Sequence, residues 1–250
     1  MTVLSVTGLT KAFGGVVAAS DVSFDVSAGE LVAIIGPNGA GKSTTFNMVG
    51  GQLRPDRGDV RLQGESINGL APRKIWKKGV GRTFQITATF PSMTVVENVQ
   101  MALISAAGRL RALLPAARDL YRDNAMAALE RVGMADQAER PCAVLAYGDI
   151  KRVELAIALA SDPVLLLMDE PTAGMAPRER LGLMALTAEI ASASNIAVLF
   201  TEHDMDVVFG HAARVLVLQR GEVIARGTPQ EVRADPEVQR VYLGAGEAAA

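Results

Sequence analysis

The stretch "ELVAIIGPNGAGKSTTFNMVGG", residues 30–51, decides how this chain folds. Its opening, Leu31 to Ile35, is apolar and rich in β-branched residues, the pattern of a central strand buried on both faces. Gly36, Pro37, Asn38, Gly39, Ala40, Gly41, Lys42, Ser43 and Thr44 then fit the spacing G-x-x-x-x-G-K-[ST], and a short helix follows that stops at Gly50-Gly51. The glycines let the backbone wrap closely, so that successive N–H groups and a helix N-terminus meet a polyphosphate. Lys42 reaches the β- and γ-phosphates in such a loop, and the Ser43 hydroxyl ligates Mg²⁺. The alternative is a glycine-rich structural turn before a helix, and all four fixed positions in the required strand–loop–helix context weigh against it.

Working outward, "VLSVTGL" and "VSFDVSAGE" read as β-rich runs before the loop, and "GDVRLQGESI" as a hairpin after it. From about Val96 to Ala160 the signals are helical, with Leu120, Leu129 and Val132 near one face and a stop at Gly133. "PVLLLMDEP" is a second buried strand with acids at its C-terminal end, followed by a helix opening at Pro177 and a third strand in "NIAVLFTEH". That alternation implies parallel βαβ units. A hairpin at Arg220-Gly221 and a capping box of Thr228, Pro229 and Glu231 close the pattern, and "GEAAA" reads as a tail. No internal repeat is present.

Composition narrows the function. A chain of 250 residues with 49% hydrophobic content is long enough for one large domain, or one domain carrying a smaller lobe, with an ample core. A net charge of −2 and 4% aromatic content argue against a dedicated nucleic-acid binder. The single Cys142 forms no internal disulfide, and the start "MTVLSVTGLTKAF" lacks a signal-peptide core, so a reducing cytoplasm is expected. The most apolar run, Val153 to Met168, is broken by Asp162-Pro163 and falls short of the roughly 20 residues of a spanning helix. Any membrane role must come through a partner.

Further residues carry chemistry. Asp169 at a strand end is placed to hold Mg²⁺, and Glu170 beside it to take a proton from an attacking water. Alone, such a carboxylate is often only a solvated loop charge; beside a phosphate loop it gains a role. His203 lies just past the next strand, on the edge where parallel sheets bind ligands, and could donate to a γ-phosphate. Gln85 follows a strand-like run and could reach the metal or the water. In "LAYGDIKRVELAIALA", residues 145–160, a tight turn at Tyr147-Gly148 feeds a helix, an anion-binding arrangement, yet Ala146 stands where a hydroxyl would be expected.

Together these residues resemble the ATP-binding subunits of ABC transporters, over nearly the whole chain and in the family's motif order. The resemblance implies an α/β P-loop fold: a central, mostly parallel sheet with an N-terminal antiparallel β subdomain and a helical lobe. It implies one domain over 1–245, with core 1–95 and 161–245, lobe 96–160, and a tail at 246–250. It also implies that Phe13 stacks on adenine, that residues 36–44 are Walker A, and that Gln85 is the Q-loop. Residues 164–170 then match Walker B with Glu170 as catalytic base, and His203 the switch histidine. ATP and Mg²⁺ are the implied ligands. "FGGVVAASDVSF", "GRTFQITATFPSMTVVENV", "TEHDMDVV" and "VYLG" look like the ATPase subunits of branched-chain amino acid importers and their paralogues for urea and short amides. Implied partners are membrane-spanning permease subunits, a second ATP-binding subunit and, indirectly, a solute-binding protein, at the cytoplasmic face of the inner membrane.

The stretch at Ala146, Tyr147, Gly148 and Asp149 aligns with the family's signature motif, L-S-G-G-Q or L-S-Y-G-Q, which covers the γ-phosphate held on the facing subunit. Here Ala146 replaces the serine and Asp149 the glutamine, and Ala176 replaces the Asp or Asn of many relatives' D-loops. A heterodimer with an intact partner is therefore expected, with a homodimer of two attenuated sites as the alternative. A regulatory module with little hydrolysis is disfavoured by Glu170. An ATPase of ribosomes or DNA is disfavoured by the single chain without a coiled coil, a GTPase by the lack of N-K-x-D, and a small-molecule kinase because Phe13, Gln85 and the signature-like turn would have no role.

Overall fold

The computed structural model describes residues 1–83, 89–107 and 120–243. The chain begins with β1 (Thr2–Phe13), β2 (Val16–Ser27), β3 (Leu31–Ile35), α1 (Lys42–Val49), β4 (Arg57–Leu62), β5 (Glu65–Ser66), α2 (Pro72–Trp76) and β6 (Val80–Thr83). Three helices follow, α3 (Val95–Ala106), α4 (Arg122–Arg131) and α5 (Tyr147–Leu159). The remainder is β7 (Leu165–Asp169), α6 (Pro177–Ser194), β8 (Ala197–Thr201), α7 (Met205–His211), β9 (Arg214–Gln219), β10 (Glu222–Gly227), α8 (Pro229–Ala234) and α9 (Pro236–Leu243).

One sheet is antiparallel, in the order β2-β1-β4-β5; the other runs β10-β9-β3-β8-β7-β6. From β9 to β6 every pairing is parallel, and only the β9–β10 hairpin reverses. The expected α/β class, a mostly parallel sheet with an antiparallel β subdomain and helices, is what the chain forms.

The unbroken apolar runs have a simple cause. Along β3, Leu31, Ala33 and Ile35 point into one core while Val32 and Ile34 point into the other. The same split divides Leu166 and Met168 from Leu165 and Leu167 on β7, and Val198 and Phe200 from Ala197 and Leu199 on β8. A strand covered on both faces has no position left for a polar residue. One core lies under α3 to α6 and includes Val99, Leu129, Leu155 and Met184; the other lies under the antiparallel sheet and α1 and includes Phe46.

Arg214 on β9 joins these layers. Its guanidinium donates to the Glu30 carboxylate ahead of β3 and, through Nη2, to the Asp25 carbonyl on β2 at 2.7 Å. These acceptors hold its pKa above the usual arginine value.

The helical region corrects two details of the sequence reading. Leu120 precedes α4, which starts at Arg122, and its carbonyl accepts from Gln100 Nε2 at 2.7 Å; only Leu129 and Val132 of the expected face are fully buried. Tyr147 and Gly148 form no tight turn ahead of the helix: they are its first two residues, and Ala146 is the N-cap, at φ −65° and ψ 153°. Among the described residues no helix is long and apolar enough to cross a membrane.

Candidate functional site

The loop between β3 and α1 is built around glycine. Gly36 has φ +153°, and a Cβ there would lie 2.2 Å from the Leu218 carbonyl oxygen of β9; at Gly41, φ +100°, it would lie 2.3 Å from the Ala18 carbonyl of β2. Both neighbours are backbone and cannot yield, so the chain needs glycine to pass. Ala40 N donates to the Pro37 carbonyl, and Gly221 N, from the β9–β10 turn, donates to the Ala40 carbonyl, which fixes the loop against the sheet edge. Asn38 and Gly39 form the exposed crest. Ser43 is exposed and Thr44 half-buried in the first turn of α1.

Lys42 is buried, and its Nζ donates to the carbonyls of Gly36 at 2.7 Å and Pro37 at 3.2 Å. Burial lowers its pKa from the ordinary lysine value, while the carboxylates of Glu170 and Asp169 act in the opposite direction. The ammonium therefore spans the loop and faces the acids that end β7.

Because β3, β8 and β7 are adjacent and parallel, the segments that follow them share one edge. Thr201, the last residue of β8, donates its hydroxyl to Asp169 Oδ1 at 2.7 Å and accepts from Glu170 N at 3.0 Å. Glu170 sits in the left-handed region, φ +48°, a conformation a non-glycine residue adopts only when its surroundings impose it. Its Oε1 lies 2.8 Å from His203 Nε2. Glu202 points the other way, buried, accepting from Thr172 N at 3.0 Å, Thr172 Oγ1 at 2.6 Å and His203 N at 3.1 Å. The edge thus gathers Lys42, Asp169, Glu170 and His203 around one exposed face.

Phe13 ends β1, half exposed, at the tip of the β1–β2 hairpin, with Lys11 Nζ 5.7 Å from its ring centroid. The same hairpin supplies the Ala18 carbonyl that meets Gly41, which puts this aromatic on an arm anchored to the loop. Gln85 lies outside the described residues. At the start of α5, Ala146 offers no side-chain cap; Asp149 lies in the first turn, its Oδ2 accepting from Gln137 Nε2 at 3.3 Å. Ala176 is exposed at the N-cap of α6, with its N–H donating to Glu179 at 3.4 Å.

Comparison with known proteins addresses what such an edge belongs to. The family described as ABC transporter matches residues 19–173. The chain is 41% identical over 248 residues to the high-affinity branched-chain amino acid transport ATP-binding protein LivG of Salmonella typhimurium, covering 96% of this chain and 97% of that protein. The chain belongs to the ABC transporter family. The high-affinity branched-chain amino acid transport ATP-binding protein BraF of Pseudomonas aeruginosa is 41% identical over 97% of this chain and 98% of its own. A crystal structure of an ATP-binding cassette of an ABC transporter in its ADP conformation superposes with a TM-score of 0.88 at 30% identity, covering 98% of this chain and 99% of that one. Residues 222–248 of this ABC ATPase also match the family described as branched-chain amino acid ATP-binding cassette transporter.

Four residues of the cassette's edge escaped the sequence reading. Thr201 and Glu202 were hidden inside "FTEH", whose cross-strand partners no local pattern reveals. Arg82, which approaches Asp169 Oδ2 at 3.8 Å and donates to Asn47 at 2.9 Å, carried no pattern of its own. Glu179, whose carboxylate would lie 3.2 Å from a Cβ on Gly148, carried no signal in the sequence. Gly148 is helical, so no left-handed turn accounts for its glycine. The donors at the edge suit Mg²⁺: a hydroxyl at Ser43 and a carboxylate at Asp169 are hard oxygen ligands, few in number, as expected for an ion that keeps its waters and binds phosphate oxygens.

Proposed function

We propose that this cassette is the ATP-hydrolysing motor subunit of an importer for branched-chain or other small amino acids, held at the cytoplasmic face of the inner membrane by membrane-spanning permease subunits. The observation that carries the reading is the Glu170–His203 contact at 2.8 Å on the edge that also holds Lys42 and Asp169.

In this reading the amides of residues 36–44 and the α1 N-terminus hold the phosphates of ATP, Phe13 stacks on adenine, and Lys42 leaves its loop carbonyls for the β- and γ-phosphates. Ser43, Asp169 and Gln85 would hold Mg²⁺, which would supply charge neutralisation to the phosphates. Glu170 removes a proton from the water that attacks the γ-phosphorus, the β–γ bridging oxygen leaves with ADP, and inorganic phosphate is released. His203, oriented by its bond to Glu170, donates to the γ-phosphate. A second ATP-binding subunit presents the N-terminus of its α5 across the interface. A heterodimer is favoured, because Ala146 and Asp149 give this chain a weakened α5 N-terminus to offer its partner. A cavity of about 360 Å³ between core and lobe, lined by Ile75, Trp76, Arg82, Ala102, Ser105 and Ile157, receives a permease helix and passes on the motion of dimer closure.

Glu170→Gln tests the base. A general base contributes about 10²- to 10⁴-fold, so the variant should hydrolyse at least about a hundredfold slower while binding nucleotide normally, and Mg-ATP should drive it into a dimer on size-exclusion chromatography. Turnover at the native rate removes Glu170 from the chemistry.

A further inference from the structure

The first residue of α5 reaches back to the catalytic edge of its own chain. Tyr147 Oη donates to the Ala173 carbonyl at 3.1 Å, and Ala173 N donates to the Glu170 carbonyl at 3.1 Å. Two hydrogen bonds therefore connect the α5 N-terminus to the residue whose backbone is held at φ +48°. The tyrosine ring is itself fixed. Gly174, at φ +78°, lies against it, and a Cβ there would make ordinary contact at 3.4 Å with Tyr147 Cε1. On its other side Lys151 Nζ lies 5.4 Å from the ring centroid and is tied to Glu154 at 3.0 Å in a buried pair. The loop from Glu170 to α6 has a second anchor: Arg180 Nε donates to the Met175 carbonyl at 2.7 Å while its Nη1 donates to Asp204 Oδ2 at 2.7 Å, the residue after His203. One short loop is thus held from α5 at Ala173 and from the His203 side at Met175.

We propose that Tyr147 is a positioning residue for Glu170 of its own chain: its hydroxyl fixes the 171–176 loop, and through that loop the backbone that aims the base. This rests on the ATPase reading above and adds a role that faces inward, separate from any contact of the α5 N-terminus with a partner's nucleotide. It also gives the altered signature stretch a task that needs neither a hydroxyl at Ala146 nor an amide at Asp149. The group required is the phenol at Tyr147.

Tyr147→Phe keeps the ring and deletes one neutral hydrogen bond. Three readouts on the full chain test it. In the nucleotide-free protein, hydrogen–deuterium exchange over residues 170–176 should quicken in the variant while exchange in β3 and β8 stays unchanged. In steady-state ATP hydrolysis kcat should fall about three- to tenfold with KM within about twofold, the range expected for one such bond expressed in the reacting state. Tyr147→Phe combined with Glu170→Gln should be no slower than Glu170→Gln alone, because a residue that acts through the base has nothing left to position. Unchanged exchange, a rise in KM with kcat intact, or losses that multiply in the double variant each overturn the proposal. Failure of the wild-type chain to bind a fluorescent ATP analogue overturns the ATPase reading and the proposal with it; native turnover with an indifferent Tyr147→Phe overturns the proposal alone.

Discussion

Ala146 shows what one side chain decides at a helix N-cap. It occupies the N-cap of α5, where its backbone is extended and its side chain has no oxygen to accept from the first-turn amides. Serine at an N-cap stabilises by about 1 kcal/mol relative to alanine, so Ala146→Ser should raise the melting temperature by about 2–4 °C in a chain of this size, read by circular dichroism. The same hydroxyl is the group that would reach a partner's γ-phosphate. If the α5 N-terminus is a weakened half-site, ATP hydrolysis by Ala146→Ser with Asp149→Gln should exceed that of the native chain at least about tenfold, since a hydrogen bond to a charged phosphate contributes about 1.5–3 kcal/mol. Equal rates would show that the α5 backbone alone suffices, and would favour a homodimer.

At the level of elements, the loop after β3 separates two uses of glycine. Gly39 has φ +79° with nothing near its missing Cβ, so Gly39→Ala should cost only the left-handed penalty, about 1–2 kcal/mol. Gly36→Ala adds a collision at 2.2 Å with a β9 carbonyl, and the loop must leave the sheet edge to accommodate it. Its melting temperature should fall further than that of Gly39→Ala, and equilibrium dialysis should find nucleotide binding lost. Both glycines look alike in the sequence; only packing against β9 tells them apart. Likewise the strands β3, β7 and β8 were legible from their apolar runs, whereas the start of α5 was misplaced because Gly148 suggested a turn.

For the whole molecule, two cores on opposite faces of one sheet must stay in register for the edge to exist. Arg214 contributes to that by bridging β2, β3 and β9, and Arg214→Met should lower stability by about 1–2 kcal/mol, discounted for its partial exposure, with guanidinium denaturation as the measurement. Cys142 reports on the other core. It is buried beneath α3, accepts from Asn98 Nδ2 at 3.3 Å, and burial pushes its thiol pKa upward. A thiol reagent at neutral pH should therefore leave the native chain unlabelled and label it fully in denaturant. Fast labelling of the native chain would mean that α3 opens readily.

Taken by itself, the sequence determined what depends on neighbours along the chain. The 36–44 loop, the apolar strands, the capping box at Thr228 and the acids after Leu167 are fixed by spacing and local hydrogen bonding, and those features sufficed to resemble the family. What only the tertiary structure decided is which distant groups meet: Thr201 with Asp169, Glu202 with Thr172, His203 with Glu170, and Tyr147 with the loop beyond Glu170. These contacts arise from the order of strands in a parallel sheet and from helices packed across it. They join residues 26 to 33 positions apart, a distance over which local periodicity carries no information.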